Sequence, residues 1–549
     1  MVMRSPQVTW FHWRRSLKQF RYTRITVVLL IVCFFVYTFT PTFPASNFRP
    51  TRSKTRAVDA QIYEPPKSEK LWSYITDYAR QAEIRRREGA GDDYDGPHVS
   101  AGSTGAWEWI DSQRTTTAPS AGALLNEGAQ ASFRANLRAD KQYYLGFLTS
   151  GWNNQVMDTC NSIYLSILSG RIPILPGFEA HKEHLGGMVN TAAVGEVFDL
   201  SFLSSALGNY PLIEAHELKV GERQSPRLKV IKRSVAGRTG GRKKEAQYVK
   251  AVEPAVPETL GCWRFKPMRN PFPHMPFSDM DILYTPVPRH VLYKGQVDHP
   301  SIYAMADVLR TYNYGQIPED SLEQLNGEPE EVPPDQQVAC LDFSYFLQIN
   351  SAGGGLHHEW RVGEGVWHFV GQYLRFQPAL VRVAEDYLKD TLGLPLSGPR
   401  PVYLGVHIRR DDFGSWFRDF SPRHWAYKVS EVLTEVRDKT GVTIPHVVVT
   451  TDEQDDDWLD LLKEYGFTVI DHRRTRTEER LDKWFPTIID SIILASGKAF
   501  IGVGASTMSI LAMRRVIDWN SGMGWLLDYP NLDVPEDWSW HLNDFTKGY

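Results

Sequence analysis

Three short stretches combine residue types that can do chemistry. The first is YLGVHIRRDDF, Tyr403 to Phe413, where an alternating apolar segment runs directly into His407, Arg409, Arg410, Asp411 and Asp412. A strand of a parallel sheet delivers the residues at its carboxyl end to the edge that lines a ligand crevice. Arginine at that edge suits a phosphate, because its planar fork donates paired, charge-assisted hydrogen bonds; a surface ion-pair cluster has the same composition. The second stretch is FIGVGASTMS, Phe500 to Ser509, a strand followed by a glycine turn and hydroxyls that open a helix. Helix N-terminal amides with Ser506 and Thr507 beside them can hold a pyrophosphate, and an ordinary capped helix uses the same residues. The third is TSGWNNQ, Thr149 to Gln155. Here Gly151 permits close backbone approach, while Asn153, Asn154 and Gln155 offer donors and acceptors without charge. An N-cap accounts for one Asn but not for two followed by Gln.

The elements that must hold these stretches follow from periodicity. YYLGFL predicts a strand, NQVMDTCNSIYLSILSG an amphipathic helix closed by Gly170, and RIPILP a second strand. FVGQYLRFQPALVRVAEDYLKDTLGL predicts one long helix, after which alternation is regular. VYLGVHI, HVVVTTD, FTVID and KAFIGV read as strands, with helices over PRHWAYKVSEVLTEVRDKTG, EQDDDWLDLLKEYG and FPTIIDSIILASG between them and a last helix from GASTMSILAMRRV. The expected class is α/β, with two Rossmann-like halves, 139–380 and 381–549, facing a cleft.

With 549 residues, 42% of them hydrophobic, the chain can bury a sizeable core, and its net charge of −4 gives no sign of a nucleic-acid partner. Residues 1–24 carry six Arg or Lys and no acid, and residues 25–43, ITVVLLIVCFFVYTFTPTF, carry no charge. That pattern predicts a cytoplasmic tail, one membrane anchor of type II orientation and a translocated remainder in the secretory pathway, Golgi or endoplasmic reticulum. A cleaved signal peptide is the rival reading, against which stands the late, long apolar run without a small-x-small site. Residues 44–138 read as a stem. The segments 218–250, basic, and 318–334, acidic and Pro-rich, read as exposed insertions. Beyond Cys33 in the apolar run, Cys160, Cys262 and Cys340 allow at most one intramolecular disulfide. No zinc pattern and no N-x-S/T sequon occurs. The Trp-rich tail VPEDWSWHLNDF can stack on sugars or pack on the domain, and packing is the stronger expectation.

Taken in order, GWNNQ, HIRRDDF and DSIILASGKAFIGVGASTMS resemble the GDP-fucose-dependent fucosyltransferases, above all the protein O-fucosyltransferases and more distantly the α1,6-fucosyltransferases. The resemblance runs from about Tyr143 to Met513. Gly151 sits one position nearer the Asn-Gln pair than in the family's Gly-x-x-x-Asn-Gln form. What it implies is a GT-B fold, an inverting transfer of fucose from GDP-fucose to a protein or glycan hydroxyl, and no metal or other cofactor. By motif, Arg409 would grip the diphosphate, His407 the nucleoside side, Asp490 the guanine edge, and Ser506 and Thr507 phosphate. Asn154 would stand near sugar and acceptor as a catalytic residue, with Gly151, Asn153 and Gln155 beside it, and Asp412 would orient Arg409 or touch the nucleoside. GWNNQ lacks the Glu that some relatives carry, which leaves Glu179 in PGFEAH, Asp158 one turn into the helix, or departure without base assistance. Two alternatives stand: another GDP-sugar on the same fold, and a tethered pseudoenzyme that binds without turnover.

Overall fold

The computed structural model describes residues 124–148, 150–178, 192–219, 258–264, 274–275, 280–292, 300–312, 333–349, 357–410, 420–481, 483–528 and 533–546. The tail, the anchor over 25–43, most of the stem and of both insertions, Glu179 and Asp412 lie outside them. The chain divides into two compact units, 1–60 and 61–549, and every described residue belongs to the second.

The first half builds a seven-stranded sheet from β1 (Tyr143–Gly146), β2 (Ile172–Leu175), β3 (Ile213–Glu214), β4 (Glu258–Arg264), β5 (His274–Met275), β6 (Met280–Pro286) and β7 (Val338–Leu341), in the order β3-β2-β1-β7-β4-β6-β5. All pairings are parallel except β5 with β6. Between β1 and β2 runs α1 (Trp152–Ser169), buried on nearly every face and closed by Gly170 at φ 71°. Such a helix lies between layers. Its Thr159, Ser166 and Ser169 hydroxyls donate to carbonyls of their own helix, so burying them costs little. The N-terminal half also contributes α2 (Ile302–Thr311), packed on α1.

Leu124, Leu125, Phe133 and Leu137 are buried on this sheet with Leu145 and Leu260. Glu258 at the start of β4 accepts from Ser132 Oγ and Phe133 N–H and pairs with Lys219 Nζ at 2.9 Å. The packed body therefore begins about fifteen residues before position 139. Cys262 of β4 and Cys340 of β7 form the single disulfide among the described residues, while Cys160 is a buried free thiol on α1.

The predicted long helix is interrupted. A 3-10 turn covers Gly371–Tyr373, Gln377 is extended at φ −54° and ψ 130°, and α3 (Pro378–Thr391) begins with proline in its first turn. The ring of Pro378 excludes the helical conformation from the residue before it, which periodicity alone does not register.

The second half contains β8 (Tyr403–Ile408), α4 (Pro422–Thr440), β9 (His446–Thr451), α5 (Asp456–Glu464), β10 (Thr468–Val469), α6 (His472–Thr475), α7 (Phe485–Ser496), β11 (Ala499–Val503), α8 (Thr507–Asn520) and β12 (Met523–Leu527). Its five strands are all parallel, in the order β10-β9-β8-β11-β12. In chain order that is 3-2-1-4-5, a doubly wound sheet whose order reverses between β8 and β11. The order of the first sheet reverses likewise between β1 and β7. β12 was not anticipated from the sequence, nor were β3 to β7. Trp538 and Trp540 pack on the second half, against Tyr427, Tyr465, Phe467 and Phe545, as packing of the tail requires.

One apolar core joins the halves: Tyr144, Trp152, Phe343 and Trp263 share a cluster with Trp484, Ile488, Ile492 and Leu511. Among the described residues no helix is long and apolar enough to cross a membrane.

Candidate functional site

The carboxyl edges of both sheets open on one cleft of about 1280 Å³. From the second half, β8 contributes His407 and Arg409, β9 ends in Thr450 to Glu453, and the turn after β11 supplies Ala505, Ser506 and Thr507. From the first half come Ser150 to Gln155, after β1, together with Tyr345 and His357, beyond β7. The contributions of β1, β7, β8 and β11 leave their sheets beside a reversal of strand order, where the diverging connections leave a crevice, and β9 lies next to β8.

His407 is buried, and its Nδ1 is hydrogen-bonded to Ser509 Oγ at 2.7 Å. The same Oγ accepts from Val503 N–H, so its own proton is available to the ring nitrogen. Burial first, and then the charge of Arg409, push the imidazole pKa down to about 3, so the ring is neutral at physiological pH. Gly502 permits this contact: a Cβ there would stand 2.6 Å from Ser509 Cβ.

Arg409 Nη1 lies 3.1 Å from Asp452 Oδ2, and Asp452 Oδ1 accepts from the Arg410 amide at 2.8 Å. One carboxylate thus orients the Arg409 fork and the backbone carrying it. Arg410 points elsewhere, paired with Glu453 at 2.8 Å and lying over the Trp458 ring. Among the described residues it is Asp452 that pairs with Arg409; Asp412, which the resemblance implied would orient Arg409 or touch the nucleoside, lies outside them. Asp452 was legible as the acid closing HVVVTTD, by the strand-end reasoning applied to HIRRDDF.

Ser506 is the N-cap of α8 without a side-chain capping bond, and Ile510 N–H donates to its carbonyl. First-turn amides of a helix lack intrahelical partners, and those of α8 border the cleft at Thr507 and Met508. Thr507 Oγ1 donates to Asn154 Oδ1 at 2.7 Å across 353 positions of sequence, bringing the second and third motifs together.

Gly151 has φ −65°, a conformation open to any residue, and the positive φ of this turn, 68°, falls on Ser150. The left-handed residue of the turn is therefore Ser150, one position before Gly151. Gln155 Nε2 donates to the Ser150 carbonyl at 2.9 Å and so holds the turn. Asn153 is buried, and its Oδ1 has no partner among the described residues. Trp152, which the sequence reading passed over, fixes the loop from beneath, 4.5 Å from Phe178, 5.6 Å from Trp484 and stacked on Phe198.

Asp490 lines the cleft and accepts from His472 Nε2 at 2.9 Å. Burial lowers the His472 pKa, but the charge and hydrogen bond of Asp490 outweigh it, and the net shift is upward. Thr477 Oγ1 contacts His472 Nδ1 at 3.0 Å. This pair was missed because DHRRT reads as loop charge until α6 folds back on α7.

Asp158 is not at the cleft. It is fully buried on α1, with the Ser162 and Ser344 hydroxyls beside its carboxyl group. Burial above all, and then Asp342, raise its pKa well above the ordinary carboxylate range, and its place away from the cleft lining keeps it from a ligand there. Among the described residues no group of three or more His, Cys, Asp or Glu stands placed to hold a metal ion.

No protein-family model and no curated protein matches the chain. Solved structures similar to it are fucosyltransferases. POFUT1 in complex with GDP-fucose is 13% identical, with 70% of this chain and 98% of that one covered and a TM-score of 0.39. A point mutant of Arabidopsis thaliana FUT1 in complex with GDP is 12% identical over 86% of this chain and 81% of that one, with a TM-score of 0.32. NodZ from Bradyrhizobium is 10% identical over 68% and 92%, with a TM-score of 0.27.

Proposed function

We propose that this chain is an inverting, metal-independent glycosyltransferase that moves fucose from GDP-fucose to a hydroxyl of a protein or glycan. On this reading residues 25–43 anchor it in a membrane of the secretory pathway, with the cleft on the luminal side. The carrying observation is the meeting, at two facing reversals of strand order, of Arg409 and the α8 N-terminus on one wall with Asn154 on the other. Departure of the nucleotide places negative charge on its β-phosphate, and Arg409, oriented beforehand by Asp452, would stabilise it together with the α8 amides. Neutral His407 and the Asp490–His472 pair suit the uncharged nucleoside portion. The choice of fucose rests on the three motifs and their resemblance.

The test is GDP release from GDP-fucose, GDP-mannose and UDP-glucose, each with chelator present. Release from GDP-fucose alone supports the donor and the metal independence; equal release from GDP-mannose overturns the choice of sugar. A cleft that binds GDP-fucose but releases no GDP even with glycoprotein acceptors present belongs to a binding protein.

A further inference from the structure

On the cleft wall built by the first half, the described residues are Ser150 to Gln155, Tyr345 and His357, and of these only Tyr345 and His357 ionise. Neither belongs to a motif. Tyr345 Oη is hydrogen-bonded to His357 Nε2. The turn carrying Tyr345 is firmly held: Asn161 Nδ2 of α1 donates to the carbonyls of Ser344 at 2.7 Å and Tyr345 at 3.2 Å, and the Ser344 hydroxyl meets Tyr144 Oη. A phenol so fixed lines the same cleft as Asn154 and Thr507.

We propose that Tyr345 and His357 form a proton relay that deprotonates the acceptor hydroxyl, an inference that rests on the transferase reading. As the acceptor oxygen bonds to the sugar C1, the C1–O bond to the β-phosphate breaks with its electron pair remaining on GDP. The acceptor proton passes to Tyr345 Oη while the phenolic proton passes to His357 Nε2. The imidazolium then releases it to water, and nothing is oxidised or reduced. The protonation states agree with this direction. Burial first, then Arg361, hold the His357 pKa down to about 4, so its Nε2 lone pair is open, and burial pushes the Tyr345 phenol up, so it carries its proton.

The experiment uses the full chain with Tyr345→Phe, His357→Gln and Arg409→Ala, reading GDP release from GDP-fucose in water with and without azide, and GDP affinity by calorimetry. Both relay variants should lose about 100-fold in release, as for a missing general base, with GDP affinity within about twofold. Azide needs no deprotonation, so it should restore release in both relay variants and not in Arg409→Ala. Undiminished release in either relay variant, or azide failing to restore it while GDP still binds, overturns the relay. A wild-type chain that binds GDP but releases none, with or without azide, also overturns the relay and leaves the donor site standing. A wild-type chain that does not bind GDP overturns the donor-site reading itself.

Discussion

The two walls of the cleft differ in kind. The second-half wall carries both signs of charge, with Arg409 against Asp452 and His472 against Asp490, on an all-parallel sheet of 3-2-1-4-5 order. Among the described residues, the first-half wall carries hydroxyl, carboxamide, phenol and a neutral imidazole, and Asp158 of α1 is withdrawn into the core. On the proposed reading, charge is placed where a diphosphate would be gripped and released, whereas uncharged donors and acceptors would suffice for a sugar and a hydroxyl. In a site screened from water, a charged group on the wrong wall would weigh heavily in either role.

The strongest way to break this comparison is Arg409→Ala. If the charged wall carries the leaving group, GDP release should fall about 10²- to 10³-fold, about 3 to 4 kcal/mol, with the thermal midpoint little changed. Near-normal turnover in a folded variant would remove the second half from the chemistry.

Next is Asp158→Asn, which tests whether the neutral wall rests on a protonated acid. A raised folded pKa contributes stability that is full below about 3.9 and is lost as pH climbs through the folded value. Denaturant titrations from pH 4 to pH 8 should show the wild type losing stability relative to the variant, with a gain for Asn of about 1 to 3 kcal/mol at the top of the range. A gain independent of pH would mean that Asp158 does not titrate there.

Thr507→Val removes the hydrogen bond to Asn154 that joins the walls. The expected loss is about 1 kcal/mol, roughly fivefold in kcat/KM for GDP-fucose. An unchanged value would show that the contact is not needed in the closed cleft.

The smallest effect is expected at His472. Its raised pKa contributes stability that is full below about 6.5 and fades as pH rises through the higher folded value. His472→Gln should therefore flatten the decline in Tm between pH 6 and pH 9 and leave the acid limb alone. A wild-type Tm that does not fall across that interval would show the pair to be uncoupled from folding.

Much of the second half was legible because its strands are short apolar runs and its helices carry plain start and stop signals. Asp455 caps α5 and Gly441 closes α4. HIRRDDF and GASTMS could be placed at a sheet edge on that basis alone. The first half was harder to read, since β3 is two residues long and β4 to β7 are spread over 258–341 between segments without periodicity. In the site, Asp490 was named but its partner His472 was not, because their pairing joins positions distant in sequence, and Asp452, though legible as a strand-end acid, was passed over. Tyr345 and His357 escaped notice, twelve residues apart across a glycine run that carries no pattern.

Composition and periodicity determined by themselves the α/β class, the doubly wound second half, the three motifs and the limit of one disulfide. These depend on local backbone preference and on which residues must leave water, and both are written into neighbouring positions. Only the tertiary structure decided that Asp158 is buried rather than presented, that Ser150 takes the left-handed turn, and that Asn154 meets Thr507. Those outcomes depend on which surfaces of α1 and α8 are covered when two sheets pack through one apolar core, and nothing within a window of neighbouring residues encodes that choice.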